Sequence, residues 1–185
     1  MAHSKPQVLD YSFMDIGNVD EITEKLDSAL PPPEGREGPR RVNAAALRLP
    51  NNNLVDLTGL HSAASTVVKD PKNLKWLDLS FNSIELIPED FSEFSDAAVV
   101  YLHGNEIESL KALSVLRSLK GLKKLTLHGN PIENIPHYRH LVMLLVPSLR
   151  MLDFSVVTSA DKDAAEFLRK EFNAAMRSRK KQDDE

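Results

Sequence analysis

The chain has 185 residues, a formal net charge of −4, 42% hydrophobic and 27% charged side chains, and no cysteine. Those proportions fit one globular domain, and the net charge names no partner. Without a thiol there is no cysteine nucleophile, no zinc–thiolate centre and no disulfide-sealed cap, so the expected setting is reducing. The run LVMLLV falls far short of the roughly 20 apolar residues of a membrane-spanning helix. The opening MAHSKPQVLDYSF lacks the apolar core of a secretory leader, so the cytosol or a space continuous with it is the expected location.

In chain order, residues 1–43 read as an extension. LDYSF at 9–13 is an apolar and aromatic cluster that either tucks against the chain that follows or serves as a docking peptide. NVDEITEKLDSAL aligns Ile22, Leu26, Ala29 and Leu30 on one side of a short helix. PPPEGREGPRR then breaks regular structure with proline, glycine and charge.

Residues 44–157 repeat themselves. AAALRLPNNNL (44–54), LKWLDLSFNSI (74–84), AAVVYLHGNEI (97–107) and LKKLTLHGNPI (122–132) place aliphatics at their fourth, sixth and eleventh positions and asparagine at the ninth. This is the leucine-rich repeat pattern L-x-x-L-x-L-x-x-N-x-L. Asn52, Asn82, Asn105 and Asn130 stand 30, 23 and 25 residues apart. The long first interval contains HSAASTVVKDPKN, whose Ala64, Val67 and Val68 predict a convex-side helix stopped by Pro71. A fifth copy keeps Leu149, Leu152 and Phe154 as inward residues but has Val157 in the asparagine position. Strand alternation sends Leu77 and Leu79 to the core and Trp76, Asp78 and Ser80 to the opposite face. The four asparagines are expected to form a ladder that satisfies backbone groups between coils.

At the C-terminal end, a helix is expected from about Tyr138, and a second is opened by Thr158 with Asp161 three residues on, running to about Lys180. Residues 158–185 are thus a capping helix with a charged tail, RSRKKQDDE. The helix face with Ala164, Ala165, Leu168, Phe172, Ala175 and Met176 either packs on the last coil or is offered to a partner groove. The predicted fold is an α/β leucine-rich repeat solenoid with about five short parallel strands on its concave face, helices and turns on its convex face, and a helical C-terminal cap.

LDYSF, DPKNLKWLDLSFN, VVYLHGN, LTLHGNPI, YRHLV and LDFSVVTSADKDAAE, in that order, resemble the leucine-rich repeat-containing protein 51 family. More loosely, the array resembles the cytoplasmic group that includes the dynein outer-arm light chain and the leucine-rich subunit of the spliceosomal U2 particle. The closer resemblance implies a small non-enzymatic adaptor in cells with motile cilia. Ala44 and Ala97 depart from the pattern, and PPPEGREGPRR has no counterpart in it.

No phosphate-binding loop, H-E-x-x-H or G-x-S-x-G motif occurs, so no catalytic residue, cofactor or small-molecule substrate is expected. His103 and His128 share a template position and should stand about 5 Å apart on the concave face. They lack a third ligand, so no metal site is expected. The expected partner surface is that face: Arg48, Asp78, Tyr101, Thr126 and Asp153 in one column, Ala46, Trp76, Val99, Lys124 and Met151 in the next, with Phe81, His103 and His128 alongside. Trp76, Asp78, Phe81, Val99, Tyr101, His103, Lys124 and His128 are the candidate contacts. The alternative is that Tyr11 and Phe13 fold back over the aromatics. Functionally, an axonemal protein scaffold is expected ahead of a regulatory subunit of a phosphatase or motor and of a nucleic-acid-complex adaptor. Asp78 and Asp153 among Lys75, Lys123, Lys124 and Arg150 argue against direct phosphate binding.

Overall fold

A computed structural model describes residues 7–29 and 41–183. The expected PPPEGREGPRR loop, except for Arg41, and Leu30 lie outside the described residues, as do the side chains of Leu26, Ala29, Phe172, Ala175 and Met176.

Each repeat forms one coil: a short strand, an asparagine turn, and a return along the other side. The strands are β1 (Gln7–Asp10), β2 (Ala44–Arg48), β3 (Trp76–Asp78), β4 (Val99–Tyr101), β5 (Lys124–Thr126), β6 (Met151–Leu152) and β7 (Ser155–Val156). They form a seven-stranded sheet in sequence order, parallel from β1 to β6, with β7 antiparallel to β6. The five expected strands are β2 to β6, and β1 and β7 extend the sheet at its two ends. The return segments are α1 (Asp20–Ala29), α2 (Leu60–Val67), α3 (Tyr138–Leu145) and four 3-10 turns, at Pro71–Asn73, Glu89–Glu93, Leu110–Ser118 and Pro131–Asn134. A final helix, α4 (Ser159–Asp183), follows β7.

The template positions become the core. Leu47, Leu77, Val100, Leu125 and Leu152 stand in register across the sheet, and all are buried. Leu49, Leu79, Leu102 and Leu127 form the next buried layer. Ala44 and Ala97, in place of leucine, are equally buried. In α2 the buried residues Leu60, Ala63, Ala64 and Val67 follow helical spacing, which explains why the long first interval forms a true helix.

The asparagines join neighbouring coils. Asn105 accepts from Ile84 N–H (3.0 Å) and donates to the carbonyls of Leu79 (3.0 Å) and Leu102 (2.9 Å). Asn82 bonds in the same way to Leu54, Leu49 and Leu79, and Asn130 to Ile107, Leu102 and Leu127. Asn52 reaches back to residues 11–16: it accepts from Met14 N–H and Ile16 N–H and donates to the Tyr11 carbonyl. The N-terminal segment is therefore a further coil, with Leu9, Tyr11 and Ile16 at the spacing of Leu47, Leu49 and Leu54. All three are buried. Tyrosine in place of leucine, and Met14 in place of asparagine, hide this copy from the template. Tyr11 is 4% exposed, so it belongs to the core and does not fold over the concave aromatics, whereas Phe13 is 77% exposed.

The C-terminal end departs from expectation most at Phe154. Phe154, expected inward, is 57% exposed. The chain turns back at Asp153 and Phe154, both at positive φ (51° and 61°), and pairs Leu152 with Ser155. Two successive positive-φ residues are the geometry of a tight type I′ hairpin, and the turn carries the ring out of the core position the template assigns to it. Beyond it, Thr158 and Asp161 form a reciprocal cap at the start of α4: Thr158 N–H donates to the Asp161 carboxylate (2.9 Å) and Asp161 N–H to the Thr158 hydroxyl (3.1 Å). Ala165 is buried against the body, while Ala164 is exposed.

Candidate partner-binding surface

Register places the candidate contacts. Ala46, Trp76, Val99, Lys124 and Met151 lie in one line across the sheet, and Arg48, Asp78, Tyr101 and Thr126 in a second. Both lines face away from the leucine core, so together they form the concave floor.

Trp76 is half-buried in this floor. The Tyr101 ring meets it edge-on (centroids 5.8 Å apart), and the Arg48 guanidinium lies over it at 5.4 Å. Its Nε1 is buried without an acceptor among the described residues. Asp78 is also buried, its carboxylate taking the Ser80 hydroxyl (2.7 Å) and Arg48 Nε (3.4 Å). Arg48 bonds Asp10 as well, at 2.6 Å. Asp78 thus fixes Arg48 over the indole and has little surface left for a partner.

A second group sits where the strands end. His103 and His128 stack with centroids 4.7 Å apart and planes 11° from parallel. Each Nδ1 is anchored: His103 to the Thr126 hydroxyl (2.8 Å), His128 to the Asp153 carboxylate (3.3 Å). Burial lowers the pKa of His103 below the usual histidine value, and the adjacent imidazole lowers it further. Asp153 also accepts from Leu127 N–H, His128 N–H and the Tyr138 hydroxyl. Burial and that carboxylate raise the Tyr138 phenol far above its ordinary range.

Phe154 links the two groups. Its ring lies 5.6 Å from Tyr101, 5.9 Å from His103 and 5.6 Å from His128. On the other side Phe81, 53% exposed and at φ 54°, meets His103 edge-on at 5.0 Å. The LHGN glycine makes room for that ring: a Cβ on Gly104 would stand 2.6 Å from Phe81. Trp76, Tyr101, Phe154, His103, His128 and Phe81 therefore make one continuous aromatic platform. Val99 and Lys124 flank it in the line through Trp76. Phe154 is the member the repeat template misplaces. Its signal in the sequence is DFSV, where an aspartate opens a turn that the template continues as strand. The platform offers no chelating geometry, because stacked rings hold their nitrogens side by side. Among the described residues no group of three His, Asp or Glu side chains is disposed to hold a metal ion.

Known proteins share this architecture. Residues 46–180 match the family model described as Leucine-rich repeat. Leucine-rich repeat-containing protein 51 of Bos taurus is 41% identical over 166 residues, covering 85% of this chain and 82% of that protein. The chain belongs to the leucine-rich repeat-containing protein 51 family. Its Mus musculus relative is 38% identical over 176 residues, which are 95% of this chain and 91% of that protein. Among solved structures, a chain in the crystal structure of the Drosophila melanogaster SNF/U2A' complex superposes with a TM-score of 0.59 at 28% identity, over 73% of this chain and 75% of that one. As a leucine-rich repeat protein, this family member presents an interaction fold. No helix among its described residues is long and apolar enough to cross a membrane.

Proposed function

We propose that the chain is a non-enzymatic scaffold that holds a segment of a partner protein on its concave face, within the axoneme of a motile cilium or flagellum. The observation that carries the interaction reading is the aromatic platform. Phe81 and Phe154 leave more than half of their surface in solvent, and aromatics grouped on an open sheet are costly unless a partner covers them. Such side chains are typical interface anchors, often worth about 2 kcal/mol or more on truncation. The axonemal setting rests on the family resemblance and on the looser likeness to the group with the dynein light chain.

A second reading is favoured by the structural neighbour in the SNF/U2A' complex: the chain would act as an adaptor inside a nucleic-acid assembly. A third, a reversible subunit of a phosphatase or motor, uses the same face.

Capture from ciliated and deciliated cells by the tagged chain separates these readings. Trp76→Ala and Tyr101→Ala are expected to abolish capture while circular dichroism stays unchanged. Recovery of axonemal proteins from ciliated cells alone supports the leading reading, and retention in salt-washed axonemes distinguishes a fixed part from a regulator. Ribonucleoprotein components in both samples favour the second. Capture that survives both substitutions refutes the concave surface as the binding site.

A further inference from the structure

The concave face carries both acids and bases by sequence, and its hydrogen bonds leave them unequally available. Each acid is committed within the fold. Asp78 is held by Ser80 and Arg48, with only 7% of its side chain exposed. Asp10 takes Arg48 Nη1 at 2.6 Å and the Ser12 N–H at 3.0 Å. Asp153 accepts from Leu127 N–H, the backbone N–H of His128 and the Tyr138 hydroxyl, and lies 3.3 Å from His128 Nδ1.

The cations are divided along the sheet. Arg48 is spent on two carboxylates, and Lys75 pairs with Asp96 at 2.5 Å. Lys123, Lys124 and Arg150 have no carboxylate partner among the described residues. They cluster where β5 and β6 begin: Lys124 opens β5, Lys123 precedes it, and Arg150 N–H donates to the Lys123 carbonyl. Neighbouring strands lie about 4.8 Å apart, so the three residues adjoin one another where β5 and β6 begin, with Lys124 and Arg150 exposed and Lys123 half-buried. The aromatic platform lies beside them, toward the ends of the same strands.

Resting on the concave-face reading above, we propose that this half of the surface takes an acidic segment of a partner protein, which lays an apolar side chain on the platform at Phe154 and Tyr101 and sets carboxylates against Lys123, Lys124 and Arg150. A peptide fits better than a nucleic acid strand. The cations are gathered at one end of the strands and do not form the continuous track that a nucleic acid backbone needs.

The test uses the full chain and three probes: a helical peptide of about four turns with leucines along one face and glutamates elsewhere, the same peptide with lysines for the glutamates, and an oligouridylate. The glutamate peptide is expected to shift the resonances of Tyr101, His103, Lys124, His128 and Phe154. It should bind at least about tenfold more tightly than the lysine peptide at low salt, an advantage that salt erodes. Lys124→Glu should narrow or reverse that preference, and Phe154→Ala should weaken both peptides. The lysine peptide binding better at these residues overturns the acidic partner and leaves the concave reading standing, whereas the oligonucleotide binding better overturns both. If neither peptide shifts these residues, the concave reading itself fails.

Discussion

Phe154 occupies a backbone conformation that suits its side chain poorly. At φ 61° a non-glycine residue pays about 1–2 kcal/mol, and its ring is left more than half exposed. Glycine would relieve the backbone strain and lose only the edge contacts with Tyr101, His103 and His128. Phe154→Gly is therefore expected to keep folding stability within about 1 kcal/mol of the parent in urea titration, since the strain relieved offsets the contacts and chain entropy lost. It should nevertheless weaken partner binding by about tenfold or more, the usual behaviour of an aromatic anchor. A large loss of stability instead would make Phe154 a structural residue and remove the reason to regard its strain as functional. Residues of this kind are the least legible in the sequence. Leu149 and Leu152 obey the template, and the alternation predicts their burial, but the turn at Asp153 is set by backbone conformation that no spacing rule reports. Asp78 was legible as concave but not as buried, because its saturation by Ser80 and Arg48 depends on side-chain geometry.

Elements one coil long owe their order to what lies between coils. A strand of three residues such as β4 has few hydrogen bonds of its own, and Asn105 supplies bonds that tie its coil to the one before it. Asn105→Ala would leave Ile84 N–H unpaired in a buried turn, at about 1–3 kcal/mol, while the Leu79 and Leu102 carbonyls keep the amides of Asn82 and Asn130. A loss of about 1–3 kcal/mol is expected in urea denaturation, with the array still melting as one transition. A loss below about 0.5 kcal/mol would show that water replaces the amide. The ladder was readable because asparagine recurs at one template position.

At the other end of the chain, the start of α4 depends on acidity. The Thr158 N–H and hydroxyl and the Arg139 guanidinium hold Asp161 at a pKa of about 2, below its ordinary 3.8. A depressed carboxylate contributes stability that is fully present above its unfolded value and is lost as pH falls through the folded one. The first turn of α4 should accordingly loosen between about pH 4 and pH 2, seen in the amide resonances of Thr158 to Asp161. Asp161→Asn should remove that acid transition and weaken the turn at neutral pH.

For the whole molecule the decisive question is how a solenoid closes its ends. A coil in mid-array has a neighbour on each side, whereas an end coil exposes its leucines unless something covers them. At the C-terminal end the hairpin of β6 and β7 and helix α4 provide the cover, through Ala165 and the Arg139–Asp161 pair. At the N-terminal end the cover is the segment from Gln7 to Val19, whose Leu9, Tyr11 and Ile16 extend the leucine stack and whose backbone satisfies Asn52. The packing of α1 beside α2 continues that layer on the convex side, with Ile22 buried between them. This arrangement separates two aromatic residues that lie close together in LDYSF. Tyr11 is core, so Tyr11→Ala should cost about 3–5 kcal/mol, in the range for a large buried ring. Phe13 points into water, so Phe13→Ser should stay within about 0.5 kcal/mol. Removal of residues 1–19 should be more severe than either, because it uncovers Leu47, Leu49 and Leu54 together and strips Asn52 of its partners. A lowered melting temperature with concentration-dependent light scattering is the expected result. If the shortened chain instead melted like the intact one and stayed monodisperse, the first repeat would be sealing itself, and the N-terminal coil would be free to serve as a docking element.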